Sequence, residues 1–248
     1  MESYTGFASL YDIFMDNIDY PLWRDYVVEI LKRHGIDDGL LLELGCGTGI
    51  VTQLLADKGY DMIGVDNSAE MLDIAMHKKC ESGHDILYLL QDMREFELYG
   101  TVRGIVSICD SMNYILAAED LLKVFQLANN YLDPAGVFLF DLNTIYKYEK
   151  VLGENIFAEN REEGSFIWEN FYDEKTQINE YDLTIFTANE TGLYQKNEET
   201  HYQRAYELET IRELLSQAGL EFVAMYDAFT FDEPRDDSER IYVVAKKP

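Results

Sequence analysis

Three glycines at alternate positions, Gly45, Gly47 and Gly49, have the spacing in this sequence that points most directly to ligand chemistry. They follow an apolar run, Leu40 to Leu44, that has the length of a buried parallel strand, and an amphipathic segment begins directly after them. Glycine permits positive φ values and lets a ligand approach the main chain closely. The start of a helix then offers unpaired N–H groups to polar ligand atoms. The pattern predicts a nucleotide-like ligand at the carboxyl end of the first strand of a doubly wound α/β sheet.

The spacing of the glycines narrows the class of ligand. A dinucleotide-binding turn follows the pattern G-x-G-x-x-G, but here Ile50 occupies the position of the last glycine. The turn also lacks the Lys-Ser/Thr pair of a phosphate-binding loop. An NAD-dependent oxidoreductase is therefore the weaker alternative, and a glycine turn without any ligand is another.

A second acid lies where such a site needs one. Asp66 ends the predicted second strand, which begins at Asp61, and lies 21 positions after Gly45. A carboxylate at the end of the second strand accepts hydrogen bonds from ribose hydroxyls in nucleotide-binding sheets of this kind. The alternative role for Asp66 is a charge or turn residue at the start of the next helix.

The segment Glu43 to Gly49, an acid followed by G-x-G-x-G, resembles the first motif of the class I S-adenosylmethionine-dependent methyltransferases. The resemblance extends over nearly the whole chain. Within this family, the chain is similar to the small-molecule methyltransferases that carry an inserted β-sheet, such as glycine- and sarcosine-type enzymes and uncharacterised bacterial relatives. It implies S-adenosyl-L-methionine as the cofactor. It also implies that Asp92 and the N–H of Met93 contact the adenine, that Met71 flanks it, and that Tyr4 and Tyr11 belong to an N-terminal lid. The cofactor-binding residues implied in this way are Tyr4, Glu43, Gly45, Cys46, Gly47, Gly49, Asp66, Asn67, Met71, Gln91, Asp92, Met93 and Cys109.

The end of the fourth strand supplies the catalytic candidates. The resemblance implies that residues after Val102 to Cys109 face the transferring methyl group. We expect Asp110, Asn113, Tyr114 and the lid residue Tyr11 to receive or orient the nucleophile, although helix capping is an equal alternative for the first three. The departing sulfur becomes neutral, so the reaction needs alignment more than it needs a dedicated base.

Alternating strands and helices predict an α/β fold with a doubly wound, mostly parallel, seven-stranded Rossmann-like sheet and a C-terminal antiparallel hairpin. The rhythm breaks in residues 145–204, which predict a small inserted antiparallel β-sheet. We expect residues 1–144 and 205–248 to form the cofactor-binding domain with its helical lid, and residues 145–204 to cap the substrate pocket. The three strands predicted in the insert are Ser165 to Tyr172, Ile178 to Ala188 and Leu193 to Arg204.

Composition sets limits on partners and compartment. The 248 residues include 47 acids and 20 bases, a net charge of −27, which disfavours nucleic acid and is compatible with a neutral or cationic small acceptor. Neither a secretory signal nor an apolar run of about 18 residues is visible, and the three cysteines form no C-x-x-C pair. We therefore expect a cytoplasmic protein without metal, either a monomer or a homodimer through the β insert. A non-catalytic module that binds the cofactor as a sensor is a further alternative.

Overall fold

The computed structural model describes residues 8–188 and 192–248, which form a larger and a smaller β-sheet with flanking helices. The strands of the larger sheet are β1 (Leu40–Leu44), β2 (Asp61–Asp66), β3 (Leu87–Leu90), β4 (Val102–Ser107), β5 (Leu132–Asn143), β10 (Glu221–Asp227) and β11 (Arg240–Lys246). The strands of the smaller sheet are β6 (Ile156–Asn160), β7 (Gly164–Asp173), β8 (Ile178–Ala188) and β9 (Tyr194–Arg204). The helices are α1 (Ala8–Phe14), α2 (Tyr20–Arg33), α3 (Ile50–Ala56), α4 (Ala69–Ser82), α5 (Ala118–Tyr131) and α6 (Leu208–Gln217), with a 3₁₀ turn at Ser111–Tyr114 and a π-helical segment at Lys147–Leu152.

The larger sheet has the strand order β10-β11-β5-β4-β1-β2-β3. Strands β1 to β5 pair in parallel, whereas β11 is antiparallel to both β5 and β10. The prediction of a mostly parallel, seven-stranded, Rossmann-like sheet with a C-terminal antiparallel hairpin is confirmed. The strand order reverses between β1 and β4, which places a crevice beyond the carboxyl ends of these two strands.

Helices cover both faces of the larger sheet, and the side-chain alternation of β1 shows how. Leu42 and Leu44 pack into the core beneath α5 and α6, whereas Leu41 packs into the core beneath α2 and α3. Because successive strand residues point to opposite faces, Glu43 shares the face of Leu41 and is buried beside α3. The alternation therefore places a carboxyl group inside the protein, next to the glycine turn.

The smaller sheet is antiparallel throughout, in the order β6-β7-β8-β9. The sequence predicted three of these strands and missed β6. Its five residues are mostly exposed, so no alternation of buried and exposed positions marks it as a strand.

Helix α1 joins the two sheets. Leu10 and Phe14 of α1 pack with Leu183 and Ile185 of β8 in one buried apolar cluster, and α1 also contacts α4 beside the larger sheet. The N-terminal helix is therefore held between the inserted sheet and the parallel sheet. None of the helices within the described ranges is both long enough and apolar enough to cross a membrane.

Candidate active site

The turn after β1 shows why glycine occupies alternate positions. All three glycines have positive φ, and a Cβ on Gly49 would lie 2.3 Å from the Tyr88 hydroxyl oxygen. A Cβ on Gly45 would lie 2.5 Å from Ser111 Oγ. A Cβ on Gly47, by contrast, would meet no described atom within 4 Å, and Gly47 borders a cavity. Gly45 and Gly49 thus leave room for neighbouring side chains, while Gly47 leaves the main chain accessible from the cavity.

Asp66 ends β2 beside this bare main chain. Its Oδ2 accepts a hydrogen bond from the N–H of Gly47 at 2.7 Å, and its Oδ1 accepts one from the N–H of Ser68 at 2.9 Å. Burial raises the pKa of Asp66, while the N–H groups of Ser68, Gly47 and Asn67 oppose that rise. A carboxylate has about four acceptor sites, so two bonds to the main chain leave capacity for a ligand hydroxyl.

Glu43 lies beneath the turn, with only 2% of its surface exposed. The Thr52 hydroxyl of α3 donates a hydrogen bond to its Oε2. Burial raises the pKa of Glu43 from 4.5 to about 8, with the Thr52 bond opposing the rise and the charge of Asp66 adding to it. This contact ties β1 to the helix that follows the glycine turn.

A cavity of about 240 Å³ opens at the carboxyl ends of β1, β2 and β4. Thirteen of the residues that the sequence assigned to the site line it: Tyr11, Glu43, Gly45, Cys46, Gly47, Asp66, Asn67, Met71, Gln91, Asp92, Met93, Cys109 and Tyr114. Gly49 lies behind the turn against Tyr88 and is not among the lining residues. Tyr4 lies outside the described residues.

Other residues of the cavity wall were not predicted. They are Tyr20, Thr48, Ile50, Val51, Val65, Arg94, Ile108, Ser111 and Ile115. Several flank predicted positions, so widening each motif by one or two residues would have found them. Tyr20 is different, because it starts α2 and no local pattern connects it with the glycine turn.

Asp92 shares the cavity wall with a cation. The main-chain N–H of Arg94 donates to Asp92 Oδ1 at 2.8 Å, and Arg94 Nε donates to the same oxygen at 2.9 Å. The hydrogen bonds from Arg94 lower the pKa of Asp92, so the carboxyl stays ionised. The pair leaves the edge of the cavity beyond β3 close to neutral.

Helix α1 is fastened to the glycine turn. Thr48 Oγ1 donates a hydrogen bond to Asp12 Oδ1 at 2.7 Å, and Lys78 of α4 forms an ion pair with the same carboxylate. Tyr11, the residue before Asp12, therefore reaches the cavity wall. Tyr20 lies close by, and burial raises its pKa while a hydrogen bond to Tyr11 lowers it.

Asp110 is part of a buried ion-pair network and does not line the cavity. Its Oδ1 accepts from Arg240 Nη2 at 2.6 Å, its Oδ2 accepts from Gln203 Nε2 at 2.6 Å, and its main-chain N–H donates to Asp141 Oδ1 at 2.8 Å. Arg240 also pairs with Asp141. The side chain of Asp110 therefore fixes the loop after β4 from behind.

Asn113 is likewise buried behind the cavity. Its Nδ2 donates to the carbonyls of Arg204 and Asn143 at 2.8 and 3.2 Å, and its Oδ1 accepts from the N–H of Asn143 at 3.0 Å. Tyr114, in contrast, lines the cavity, and its hydroxyl is hydrogen-bonded to that of Tyr181 in the inserted sheet. Of the three candidates after β4, Tyr114 alone borders the cavity.

Comparison with known proteins adds the family. Residues 41–136 match a family described as a methyltransferase domain. The chain is 36% identical over 247 residues to YqeM of Bacillus subtilis, a protein named as a methyltransferase, and the match covers 98% of this chain and 97% of that one. The chain belongs to the class I S-adenosylmethionine-dependent methyltransferases.

Solved structures agree with this assignment. An S-adenosylmethionine-dependent methyltransferase from Clostridium acetobutylicum superposes with a TM-score of 0.87 at 31% identity, with 99% of both chains covered. S-adenosylmethionine-bound CalS10, an amino pentose methyltransferase from Micromonospora echinaspora, has a TM-score of 0.76 at 15% identity, with 100% of this chain and 99% of that one covered, and shows likeness of fold alone. The predicted family and cofactor are confirmed.

The cavity of this methyltransferase suits its cofactor. The cofactor carries a sulfonium, a ribose and an adenine, and the cavity offers a bare main chain at Gly47, the carboxylate of Asp66 and the apolar side chain of Met71. The carboxylate of Asp66 in the wall also complements the positive charge of the sulfonium. Within the described parts of the chain, no cluster of three or more His, Cys, Asp or Glu residues could hold a metal ion.

Proposed function

We propose that this methyltransferase transfers the methyl group of S-adenosylmethionine to a small polar molecule by in-line displacement. The observation that carries the proposal is the hydrogen bond between the Gly47 N–H and Asp66, which fixes a bare main chain and a ribose-type acceptor at one cavity. The cofactor would supply an electrophilic methyl group and a leaving sulfur that needs no proton. The chain would contribute alignment, which can be worth roughly 7–11 kcal/mol.

The proposed roles follow the cavity wall. Gly45, Cys46 and Gly47 would hold the methionine portion, Asp66 and Asn67 the ribose, and Met71, Gln91, Asp92 and Met93 the adenine. Glu43 would support the turn from below, and Gly49 would seat Tyr88 behind it. Cys109 would flank the sulfonium, where burial raises the pKa of its thiol and keeps it neutral.

The acceptor would lie beside Tyr11 and Tyr114, which reach the cavity from the lid helix and from the 3₁₀ turn. We propose that Asp110 and Asn113 act by positioning this turn, because both are bonded to neighbouring strands. The subdomain of residues 145–204 would cap the acceptor through the contact of Tyr181 with Tyr114. Its use as a dimer interface and the cytoplasmic location stay predictions.

Calorimetric titration with S-adenosylhomocysteine, the demethylated product, tests the proposal. We expect saturable binding, because a product that keeps the ribose and adenine keeps most of the proposed contacts. Asp66→Ala should weaken binding by about 1–3 kcal/mol through the lost ribose bonds. Asp61→Ala is the matched control, because Asp61 lies exposed at the opposite end of the same strand. Equal affinities of the two variants would remove Asp66 from the site.

A further inference from the structure

Three tyrosines from separate elements line the cavity. Tyr11 belongs to α1, Tyr20 starts α2, and Tyr114 ends the 3₁₀ turn after β4. We call these residues the tyrosine wall. Aromatic faces attract cations through the ring quadrupole, and small ammonium groups are the ligands that such walls recognise. The hydroxyls are hydrogen-bonded to other tyrosines, Tyr114 to Tyr181 and Tyr20 to Tyr11, which fixes the positions of the rings.

The charge of the cavity selects against anions. The carboxyl groups of Glu43, Asp66 and Asp92 line it, and Arg94 is the one cationic side chain among its described residues. Arg94 is already bonded to Asp92 through its main chain and its guanidinium. Burial raises the pKa of Glu43 to about 8 and Asp92 is paired with Arg94, so the negative charge of the described wall comes mainly from Asp66. That charge repels an acceptor with a phosphate or carboxylate and stabilises the positive charge that develops on the nitrogen of a neutral amine as it attacks.

The wall also lacks the usual bases for an alcohol acceptor. An alcohol must lose its proton as it attacks, usually to a histidine, lysine or carboxylate within hydrogen-bond reach. No histidine or lysine belongs to the described lining of the cavity. Asp66 and Asp92 are the residues proposed to bind the ribose and the adenine, and Glu43 lies beneath the turn with its hydrogen bond from Thr52, so none of the three is proposed to face the acceptor. An unprotonated amine already has a free electron pair and needs none of them.

We infer that the methyl acceptor is an amine, held against the tyrosine wall with its nitrogen facing the cofactor. The inference rests on the proposed function and names its substrate class. The nitrogen lone pair forms the new N–C bond while the C–S bond breaks and its electron pair stays on sulfur. The product is a methylated ammonium ion and a neutral thioether, and the ammonium proton goes to water after release. Positive charge thus moves from sulfur to nitrogen, next to the aromatic rings.

Choline and its neutral isostere 3,3-dimethylbutan-1-ol test the wall without knowledge of the natural acceptor. Each is titrated by calorimetry into the full chain saturated with S-adenosylhomocysteine. We expect choline to saturate in the millimolar range and to bind about tenfold more tightly than the alcohol, the ratio expected for a desolvated cation–π contact. Equal affinities, or no saturation by choline up to about 100 mM, a concentration far above the expected millimolar range, would overturn the inference.

Variants assign the effect to the wall. Tyr20→Leu should remove the preference for choline, whereas Tyr20→Phe, which keeps the ring, should retain most of it. Tyr11→Leu repeats the test on another element, and Tyr99→Leu is the control because Tyr99 is fully exposed. A preference that survives both leucine substitutions in folded protein would also overturn the inference. Failure to bind S-adenosylhomocysteine would instead contradict the proposed function, so the two failures are distinguishable.

Discussion

The substitution Glu43→Gln should remove a pH dependence of stability that the burial of Glu43 causes. Burial raises the pKa of Glu43 to about 8 in the folded state, against an ordinary value of 4.5 in the unfolded chain. The folded state therefore holds about one proton more than the unfolded state between these pH values. Stability from this group is complete below about pH 4.5 and is lost as the pH rises toward about pH 8. A glutamine keeps the hydrogen bond to Thr52 but cannot ionise.

The size of the effect follows from the pKa shift. One pKa unit corresponds to about 1.4 kcal/mol, so the wild-type protein should lose about 4 kcal/mol relative to Glu43→Gln between about pH 5 and pH 8. Urea unfolding at each pH gives the free energy of unfolding of the wild type and of Glu43→Gln. Subtracting one from the other removes the contributions of all other titrating groups. Glu81→Gln serves as the control, because Glu81 is exposed on α4. If the stability curves of wild type and Glu43→Gln run parallel over this range, the argument from burial is refuted.

Three further substitutions test the framework of the site. Gly49→Ala should destabilise the protein by several kcal/mol more than Gly83→Ala. Both glycines have a φ of 74°, but the new Cβ collides with Tyr88 only at position 49. The midpoints of urea unfolding measure the difference, and equal losses of stability would contradict the proposed collision. Arg240→Met should lower the free energy of unfolding by about 3–5 kcal/mol, because it leaves the carboxylates of Asp110 and Asp141 without their cation. Replacing both aspartates by asparagine in the same variant should recover much of this stability in thermal melts. Asn113→Ala should cost about 2–4 kcal/mol by leaving buried main-chain groups unpaired, and unchanged unfolding would rule out its positioning role.

The part of the site that the sequence predicted is the part that folds locally. Gly45, Gly47 and Asp66 belong to consecutive elements of one strand-turn-helix-strand unit, and the parallel pairing of β1 with β2 brings their positions together. Strand type, glycine spacing and the acid at the end of β2 all depend on short-range chemistry. For that reason the position of a cavity at the carboxyl ends of β1 and β2 could be predicted from the sequence.

The candidates that lie behind the cavity have partners far along the chain. Asp110 follows β4 as predicted, but its carboxylate is bound by Arg240, which lies 130 positions later, and by Gln203 of the inserted sheet. A strand-end acid that faces a ligand and one that faces a buried guanidinium have the same local sequence. Only the antiparallel pairing of β11 with β5 decides between them, because it brings Arg240 opposite Asn143 at the end of the sheet.

The same long-range contacts tie the inserted sheet to one wall of the cavity. Strand β9 holds the loop after β4 through Gln203 and the carbonyl of Arg204, while β8 holds Tyr114 through Tyr181. The loop that these strands hold also contributes Ser111 and Tyr114 to the wall of the cavity. If the acceptor binds against the inserted sheet, as proposed, it stabilises the wall on which we propose that the cofactor rests. By linkage the cofactor must favour the acceptor to the same degree, so the two substrates should bind with positive cooperativity.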